Sequence, residues 1–407
     1  LRGQADRLCS SLRDRPDAAL ADIAYSLVTD RARHDHRAVL LAADRAQALE
    51  RLAEYAHGGD GTGVVADAAR RGPLAMVFTG QGAQHPGMGS ELHRRFPVFA
   101  AAFDQACGQL DPAVREAVLG DGGDRLDATE VAQPALFAVE VALFRLFESW
   151  GVRPDVLTGH SVGEIAAAHV AGVLSLPDAC RLVAERGRLM ARLGPGGVMV
   201  SVTAGEQAVA PLVARYAEEV SIAAVNTPGS VVLSGTEAAV AEIVRRLTED
   251  GYRTKRLAVS HAFHSPLMDP MLDEFRALVH GLAFQPPRIA MAGGEQVTDP
   301  EYWVRHVRDT VRFADTVAEL HGAGVTRFLE IGPDAPLTGA IRDCLAETDA
   351  VAVPGLRRHR DEADTALTAL GTLFAAGVDV DWPALFDGTG ARHTPLPTYA
   401  FQHQRYW

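Results

Sequence analysis

A G-x-S-x-G sequence at residues 159–163 is the feature that most constrains the fold of this chain. It follows a short apolar segment, residues 155–159, and precedes a predicted helix that starts at Glu164. The two glycines permit a sharp turn and a close backbone approach, which would expose Ser161 at the carboxyl end of a strand. The helix would direct its amino end at the same point. The pattern predicts a strand–turn–helix elbow, with an ordinary tight turn as the alternative.

Other segments also indicate an α/β sheet. A short apolar strand is predicted at residues 74–78, where it runs into the glycine-rich turn 79–84. Such a turn is typical of the carboxyl edge of an α/β sheet, where sites tend to form. Residues 132–150 carry apolar positions at helical spacing, and residues 327–333 include a further strand signal.

The pattern changes between about residues 198 and 260. Strands are predicted at residues 198–202, 220–225 and 230–234, with helices at residues 205–217 and 236–250 interleaved. A β-α-β-β-α-β order of this kind predicts a small ferredoxin-like insert.

Length, charge and cysteine pattern limit the classes of protein to consider. The 407 residues suggest two or three domains, and the formal charge of −13 argues against a nucleic-acid-binding face. No apolar run reaches the roughly 18 to 20 residues that span a bilayer, and no signal peptide is visible. Because the chain begins at Leu1, we expect a piece of a longer polypeptide. The cysteines form no C-x-x-C pair, which argues against a zinc site or disulfide framework and favours a reducing cytoplasm; they are Cys9, Cys107, Cys180 and Cys344.

A reactive Ser161 would need a base, and the chain has 15 histidines. His160 adjoins the serine, but neighbours on a tight turn rarely direct their side chains at each other. His261 and His264 come just after the inserted unit, and a Ser-Pro pair after His264 suits a loop over a site. Spacing alone leaves His264 as one candidate among several, with a structural role as the alternative for each.

Arg186 in a predicted helix has two interpretations. As a surface residue it would pair with Glu185 or another acid, and the sequence alone favours that role. In a site, its planar guanidinium would bind a substrate carboxylate through two hydrogen bonds.

Several motifs in one order resemble the acyltransferase domains of modular polyketide synthases, relatives of malonyl-CoA:acyl-carrier-protein transacylases. The resemblance covers nearly the whole chain and includes the elbow and residues 80–84 (GQGAQ), 133–137 (QPALF), 186–190 (RGRLM) and 261–264 (HAFH). Residues 24–27 with 31–33 are similar to the linker that follows a ketosynthase, and residues 396–407 are similar to the post-acyltransferase linker.

The resemblance implies an α/β protein in three parts. An N-terminal α+β linker domain would cover residues 1–73, the acyltransferase domain residues 74–350, and a post-acyltransferase linker residues 351–407. Within the acyltransferase domain, a small ferredoxin-like subdomain at about residues 196–260 would be inserted into a large α/β-hydrolase-like subdomain.

The resemblance also implies roles for single residues. Ser161 would be the nucleophile and His264 the general base, while Arg186 would hold the free carboxylate of a dicarboxylic extender unit. The backbone N–H groups of Gln81 and Val162 would form the oxyanion hole.

In this family a backbone carbonyl rather than an acid orients the catalytic histidine, and here it would come from residues 305–312. His306 stands in that segment where the family often has Asn. Phe263, His261 and His160 are further expected substrate-binding residues, and no metal ligand is expected.

The implied reaction is ping-pong acyl transfer through an acyl-serine. Acyl-CoA is the donor, and the acceptor is the phosphopantetheine thiol of an acyl carrier protein, with no metal or redox cofactor. The expected partners are that carrier protein, a neighbouring ketosynthase and other synthase domains, in the cytoplasm and without nucleic acid or membrane.

The residues directly before His264 indicate which acyl group the site would accept. Malonyl-selective relatives resemble this chain at His-Ala-Phe-His, whereas methylmalonyl-selective ones tend to carry Tyr-Ala-Ser-His. Phe263 would fill the space that a C2 methyl group needs, and the branched Val162 also favours a small pocket. Malonyl is therefore the expected unit; methylmalonyl or another substituted malonyl is the alternative, and ordinary core packing is the alternative role of Phe263.

Two other functions are compatible with parts of the sequence. A serine hydrolase such as a thioesterase would place its histidine late in the chain, at His393 or His403, and would leave Arg186 without a role. A non-catalytic docking module would use residues 1–73 and 351–407 to hold neighbouring domains.

Overall fold

The computed structural model of the chain describes residues 1–59, 63–120, 122–193 and 196–401. They divide into two units. The first unit comprises residues 1–71, 147–153 and those from 364 onward, and the second comprises residues 72–146 and 154–363.

The helices and strands are numbered in chain order. The helices are α1 (Arg2–Asp14), α2 (Leu20–Thr29), α3 (Arg45–Ala56), α4 (Ser90–Arg95), α5 (Pro97–Cys107), α6 (Pro112–Leu119), α7 (Thr129–Ser149), α8 (Gly163–Ala171), α9 (Leu176–Arg192), α10 (Glu206–Val213), α11 (Glu237–Glu249), α12 (Leu272–Val279), α13 (Pro300–His306), α14 (Phe313–Gly322), α15 (Pro336–Cys344), α16 (Glu362–Ala375) and α17 (Trp382–Phe386). The strands are β1 (His36–Leu40), β2 (Val64–Ala68), β3 (Leu74–Phe78), β4 (Val156–Gly159), β5 (Val198–Val202), β6 (Val220–Thr227), β7 (Ser230–Gly235), β8 (Thr254–Arg256), β9 (Ala290–Met291), β10 (Arg327–Ile331) and β11 (Val351–Pro354).

A parallel sheet of five strands forms the base of the second unit, in the order β11-β10-β3-β4-β9. Every residue of β3 and β10 is buried, as expected for parallel strands that are covered on both faces. In the register of the two central strands, Phe78 is opposite Gly159. The turn after β3 and the elbow after β4 therefore leave the sheet side by side at its carboxyl edge.

A separate four-stranded sheet lies between the elements of this α/β framework in the chain. Its order is β6-β7-β5-β8, and all neighbouring strands are antiparallel. Buried residues of both sheet and helices, among them Val202, Leu233, Val240 and Ile243, make its core. The predicted α/β fold with a ferredoxin-like insert is confirmed.

Two boundaries in this insert differ from the prediction. The helix predicted at residues 205–217 is α-helical only to Val213 and continues as a 3-10 turn over Ala214–Tyr216. Pro211 lies inside α10 and removes a backbone donor near its end. Strand β6 extends to Thr227 because the β6–β7 hairpin pairs that residue with Ser230.

In the first unit, β1 and β2 form an antiparallel pair, and α1 to α3 share a core that includes Cys9, Leu12 and Ile23. The late segment of the chain lies along these helices, since Arg7 donates to the Tyr399 carbonyl at 2.7 Å. Residues 402–407, the end of the predicted post-acyltransferase linker, lie outside the described residues, as do residues 60–62. The domain limits at residues 73 and 350 remain predictions.

Within the described ranges, no helix has both the length and the apolar character that a bilayer crossing requires.

Candidate active site

The elbow after β4 holds Ser161 in a left-handed backbone conformation, with φ at 51°. Such a conformation costs a non-glycine residue about 1–3 kcal/mol, so the surrounding packing must impose it. Gly163 shows how tight that packing is, because a Cβ there would lie 2.4 Å from the Thr79 carbonyl oxygen at the end of β3. Only glycine lets α8 start this close to the neighbouring strand.

His264 is the histidine that the fold brings to Ser161, across 103 residues of sequence. The Ser161 Oγ lies 2.7 Å from His264 Nε2, and His264 Nδ1 lies 2.8 Å from the Asp309 carbonyl oxygen. Since a carbonyl can only accept, Nδ1 carries the proton and Nε2 is free to accept one from the serine. His264 is 4% exposed and also has a left-handed φ, 56°.

The surroundings of His264 disfavour its charged form. Burial is the main cause that lowers its pKa well below the ordinary value, and the positive charge of Arg186 adds to the shift. His306 and His160 lower the pKa further, whereas the hydrogen bond to Asp309 raises it. The imidazole is therefore neutral, and able to act as a base, at neutral pH.

Arg186 lies on the buried side of α9 and is 2% exposed. Its Nη1 donates to the Gln133 Oε1 at 2.5 Å, and its Nη2 to the Ser161 Oγ at 3.2 Å. Within the described residues no carboxylate pairs with it, and burial lowers its pKa to about 10. Glu185, the partner expected of a surface arginine, pairs with Arg188 instead at 2.5 Å. The surface interpretation of Arg186 is thus wrong.

Two backbone N–H groups beside the serine have no acceptor in the described part of the chain, those of Gln81 and Val162. The turn that carries Gln81 packs directly on the elbow, since a Cβ on Gly80 would lie 2.8 Å from His160 Nδ1 and 2.9 Å from its carbonyl oxygen. The Gln81 side chain is fixed by the Thr129 hydroxyl at 3.1 Å. Unpaired donors held this rigidly can stabilise a developing oxyanion.

The other predicted site residues, His160, His261 and Phe263, make contacts of their own. His160 Nε2 lies 2.9 Å from the Asn226 Oδ1, which links the elbow to β6, and burial lowers the pKa of His160. His261 contacts the Ser260 hydroxyl through Nδ1 at 2.8 Å, and its buried Nε2 has no partner among the described residues. The Phe263 side chain, 7% exposed, lies 6.0 Å from the His261 ring between ring centroids.

The sequence did not single out several side chains that shape this site: Gln133, Asn226, Glu164 and Tyr302. Glu164, Tyr302 and His306 also line a cavity of about 260 Å³ that reaches Ser161. Only the QPALF motif pointed to Gln133, and its contact with Arg186 is made between two helices 53 residues apart.

His393, the base of the hydrolase alternative, pairs with Asp30 at 3.0 Å and packs on Tyr25 within the first unit. His403 lies outside the described residues. Among the described residues, no group of three or more His, Cys, Asp or Glu is arranged to hold a metal ion.

Comparisons with known proteins identify the family to which the chain is similar. The family model of the acyl transferase domain matches residues 75–380, and a model named CurL-like, PKS C-terminal matches residues 1–52. The phenolphthiocerol synthesis polyketide synthase type I Pks15/1 of Mycobacterium marinum is 49% identical over all of this chain. The chain spans only 20% of that protein's length, and 6% of the length of polyketide synthase GfsA of Streptomyces halstedii, which is 48% identical over 96% of the chain.

Two solved structures are similar over most of both chains. The acyltransferase domain from the second module of the salinomycin polyketide synthase has a TM-score of 0.85 and 49% identity, covering 98% of this chain and 96% of that one. The acyl transferase domain of SpnD, in complex with 2-(pent-4-yn-1-yl)malonyl, has a TM-score of 0.83 and 35% identity, covering 94% of each chain.

Proposed function

Because the chain belongs to the acyl transferase domain family found in polyketide synthases, we propose that it transfers a dicarboxylic acyl group from CoA, through Ser161, to the phosphopantetheine thiol of an acyl carrier protein. The observation that carries this proposal is the buried Arg186, which has no carboxylate partner in the described residues and lies 3.2 Å from the nucleophile. A buried cation without a counter-ion is costly unless a ligand supplies the charge. A substrate carboxylate supplies it.

In the first half of the reaction, the Ser161 hydroxyl attacks the thioester carbonyl of acyl-CoA while His264 Nε2 takes its proton. The carbonyl oxygen becomes an oxyanion, which the N–H groups of Gln81 and Val162 stabilise. The tetrahedral intermediate collapses, the carbon–sulfur bond breaks, and the CoA thiolate takes the proton from His264. The product is the acyl ester of Ser161.

In the second half, the phosphopantetheine thiol of the carrier protein enters the site that CoA has left. His264 takes the thiol proton, the sulfur attacks the ester carbonyl, and the Ser161 oxygen leaves with the proton from His264. The carrier protein departs as the acyl thioester. The match of residues 1–52 to a polyketide synthase segment supports a place beside other synthase domains, and we place the enzyme in the cytoplasm.

For the acyl group itself we propose malonyl. Phe263 directly precedes His264 and is nearly buried, as is Val162 after the nucleophile, so both favour a small pocket. The SpnD domain, by comparison, holds a malonyl group with a long C2 substituent. The difference of one methyl group is worth about 1–3 kcal/mol, or roughly 10- to 200-fold in selectivity.

A pulse of equimolar malonyl-CoA and methylmalonyl-CoA, followed by intact-mass measurement, tests both parts of the proposal. We expect malonyl on Ser161 in the wild type, no label in S161A, and a larger methylmalonyl share in F263S. Preferential methylmalonyl loading of the wild type would overturn the malonyl assignment. Rapid loss of the acyl group to water without carrier protein would favour a hydrolase, and an unlabelled wild type would favour a docking module.

A further inference from the structure

Three side chains that line the same cavity as Ser161 form a hydrogen-bonded cluster. They are Glu164, Tyr302 and His306. The Glu164 carboxylate accepts from the Tyr302 hydroxyl at 2.5 Å through Oε1 and from His306 Nε2 at 3.1 Å through Oε2. The side chains of Glu164 and His306 are only 13% and 10% exposed. Since both carboxylate oxygens are engaged, the cluster is a fixed part of the framework and not a solvated ion pair.

This cluster joins the elbow to the segment that orients His264. Glu164 lies in the first turn of α8, directly after the elbow, whereas Tyr302 and His306 lie on α13. The turn after α13 carries Asp309, whose N–H donates to the Arg305 carbonyl at 2.8 Å and whose carbonyl accepts from His264 Nδ1. The position of the Asp309 carbonyl is thus tied to the end of α13, and through His306 to the elbow.

We propose that Glu164, His306 and Tyr302 are positioning residues that hold the Asp309 carbonyl, and through it His264, in register with Ser161. The inference rests on the proposed function, since it concerns the base of that reaction. Because the Glu164 carboxylate can only accept, its hydrogen bond places a proton on His306 Nε2 and fixes the orientation of the ring. In a Ser-His-Asp triad an acid orients the histidine directly. Here the cluster orients His264 indirectly, through the Asp309 carbonyl.

The same cluster makes the base sensitive to charge. The His264 ring lies 6.3 Å from the His306 ring between centroids, and it also faces Arg186 and His160. His306 itself faces Glu164 and Tyr302, with Arg305 and Asp309 near the cluster. Arg186 and His306 are both among the causes that lower the pKa of His264. Removal of the His306 imidazole should therefore raise the pKa of His264.

The test measures the rate constant and the KM of Ser161 acylation by malonyl-CoA between pH 5 and pH 9, with melting temperatures as a check on folding. For E164Q and H306A we expect the rate constant to fall about 10- to 100-fold with little change in KM, because geometry and not binding is lost. For H306N, whose amide can still donate to Glu164, we expect a smaller loss. Its low-pH limb should lie at higher pH than that of the wild type, because His306 is one of the causes that lower the pKa of His264.

A second histidine–glutamate pair near α13 provides matched controls. His280 Nε2 lies 2.8 Å from Glu301 Oε1, and both side chains are exposed to solvent. H280N and E301Q make the same chemical changes outside the site, so their rates and pH profiles should match those of the wild type. If E164Q acylates at the wild-type rate and H306N keeps the wild-type pH profile, the positioning role is wrong. If H306A does not fold, the result for H306N alone decides whether the positioning role holds. A wild-type protein in which Ser161 is never acylated would instead refute the proposed acyl transfer.

Discussion

Arg186 is held by the side-chain amide of Gln133 and not by an acid, with 2.5 Å between the Arg186 Nη1 and the Gln133 Oε1. An amide oxygen fixes the direction of the guanidinium but leaves its charge uncompensated. The site therefore keeps a full positive charge 3.2 Å from the Ser161 hydroxyl while no ligand is bound. This pairing separates the two tasks of the arginine, orientation and charge, and allows each to be tested.

Gln133→Glu should neutralise the charge of Arg186 while it leaves the guanidinium in the same orientation. The carboxylate would pair with Arg186 in nearly the same space and compete with the carboxylate of the substrate. We expect kcat/KM for malonyl-CoA to fall about 100-fold, the range typical of an altered buried charge pair. Gln105→Glu makes the same change at an exposed position of α5 and should leave the rate unaltered. An unimpaired Q133E enzyme would mean that Arg186 does not bind the carboxylate.

The pH dependence of Ser161 acylation should reflect the lowered pKa of His264. The base works only when neutral, so a pKa below the ordinary histidine value of about 6.5 extends activity into acid. Arg186→Gln removes the second-largest cause of the shift, and the low-pH limb should then move to higher pH. Rates of acylation by acetyl-CoA, which has no free carboxylate, report this without the binding effect. Arg188→Gln on the exposed side of α9 is the control, and a limb that moves equally in both variants would argue against a local charge effect.

Gly80→Ala should damage the predicted oxyanion hole. The added Cβ would lie within 3 Å of both a ring nitrogen and the carbonyl oxygen of His160, so the turn that carries the Gln81 N–H must move away from the elbow. Loss of one oxyanion donor typically lowers kcat by about 100- to 1,000-fold. Gly339→Ala, where nothing lies within 4 Å of the new Cβ, should keep the wild-type rate. Wild-type activity in G80A would show that the N–H of Gln81 is not needed.

The fold was predictable from the sequence because its determining patterns are local. The apolar run of β3, the glycines of the elbow and the alternation of the insert each indicate an element without knowledge of its neighbours. The site was harder to predict from the sequence, because its contacts connect distant segments. Spacing left His264 one histidine among 15, and helical periodicity could not tell that Arg186 faces inward. The resemblance supplied both.

What neither pattern nor resemblance supplied are the partners of those residues. The amide of Gln133 contacts Arg186 between α7 and α9, and Glu164 contacts His306 across 142 residues. Such pairs form only when the helices are docked, so no local signal marks them. Asp309 is an intermediate case, since its carbonyl lies in the segment predicted to orient His264.

Glu140→Gln tests a buried carboxyl group outside the site. Glu140 on α7 is 1% exposed, and burial together with the nearby Glu330 raises its pKa well above the ordinary value. The unfolded chain loses this proton near pH 4.5 while the folded chain retains it, so wild-type stability should decrease as pH rises above that value. A neutral amide removes this dependence, and the melting temperature of E140Q should exceed that of the wild type by a few degrees at pH 8 but not at pH 5. Equal differences at both pH values would contradict a protonated Glu140.

The left-handed backbone conformation at Ser161 serves catalysis but lowers the stability of the folded protein. Glycine adopts that conformation without strain, so Ser161→Gly should relax the elbow by an amount on the order of 1 kcal/mol while it destroys the nucleophile. A library of variants sorted only for heat resistance would therefore enrich a dead enzyme at this position. Any effort to stabilise the domain by evolution in the laboratory must select for acyl transfer in every round, because the most durable elbow is one that cannot react.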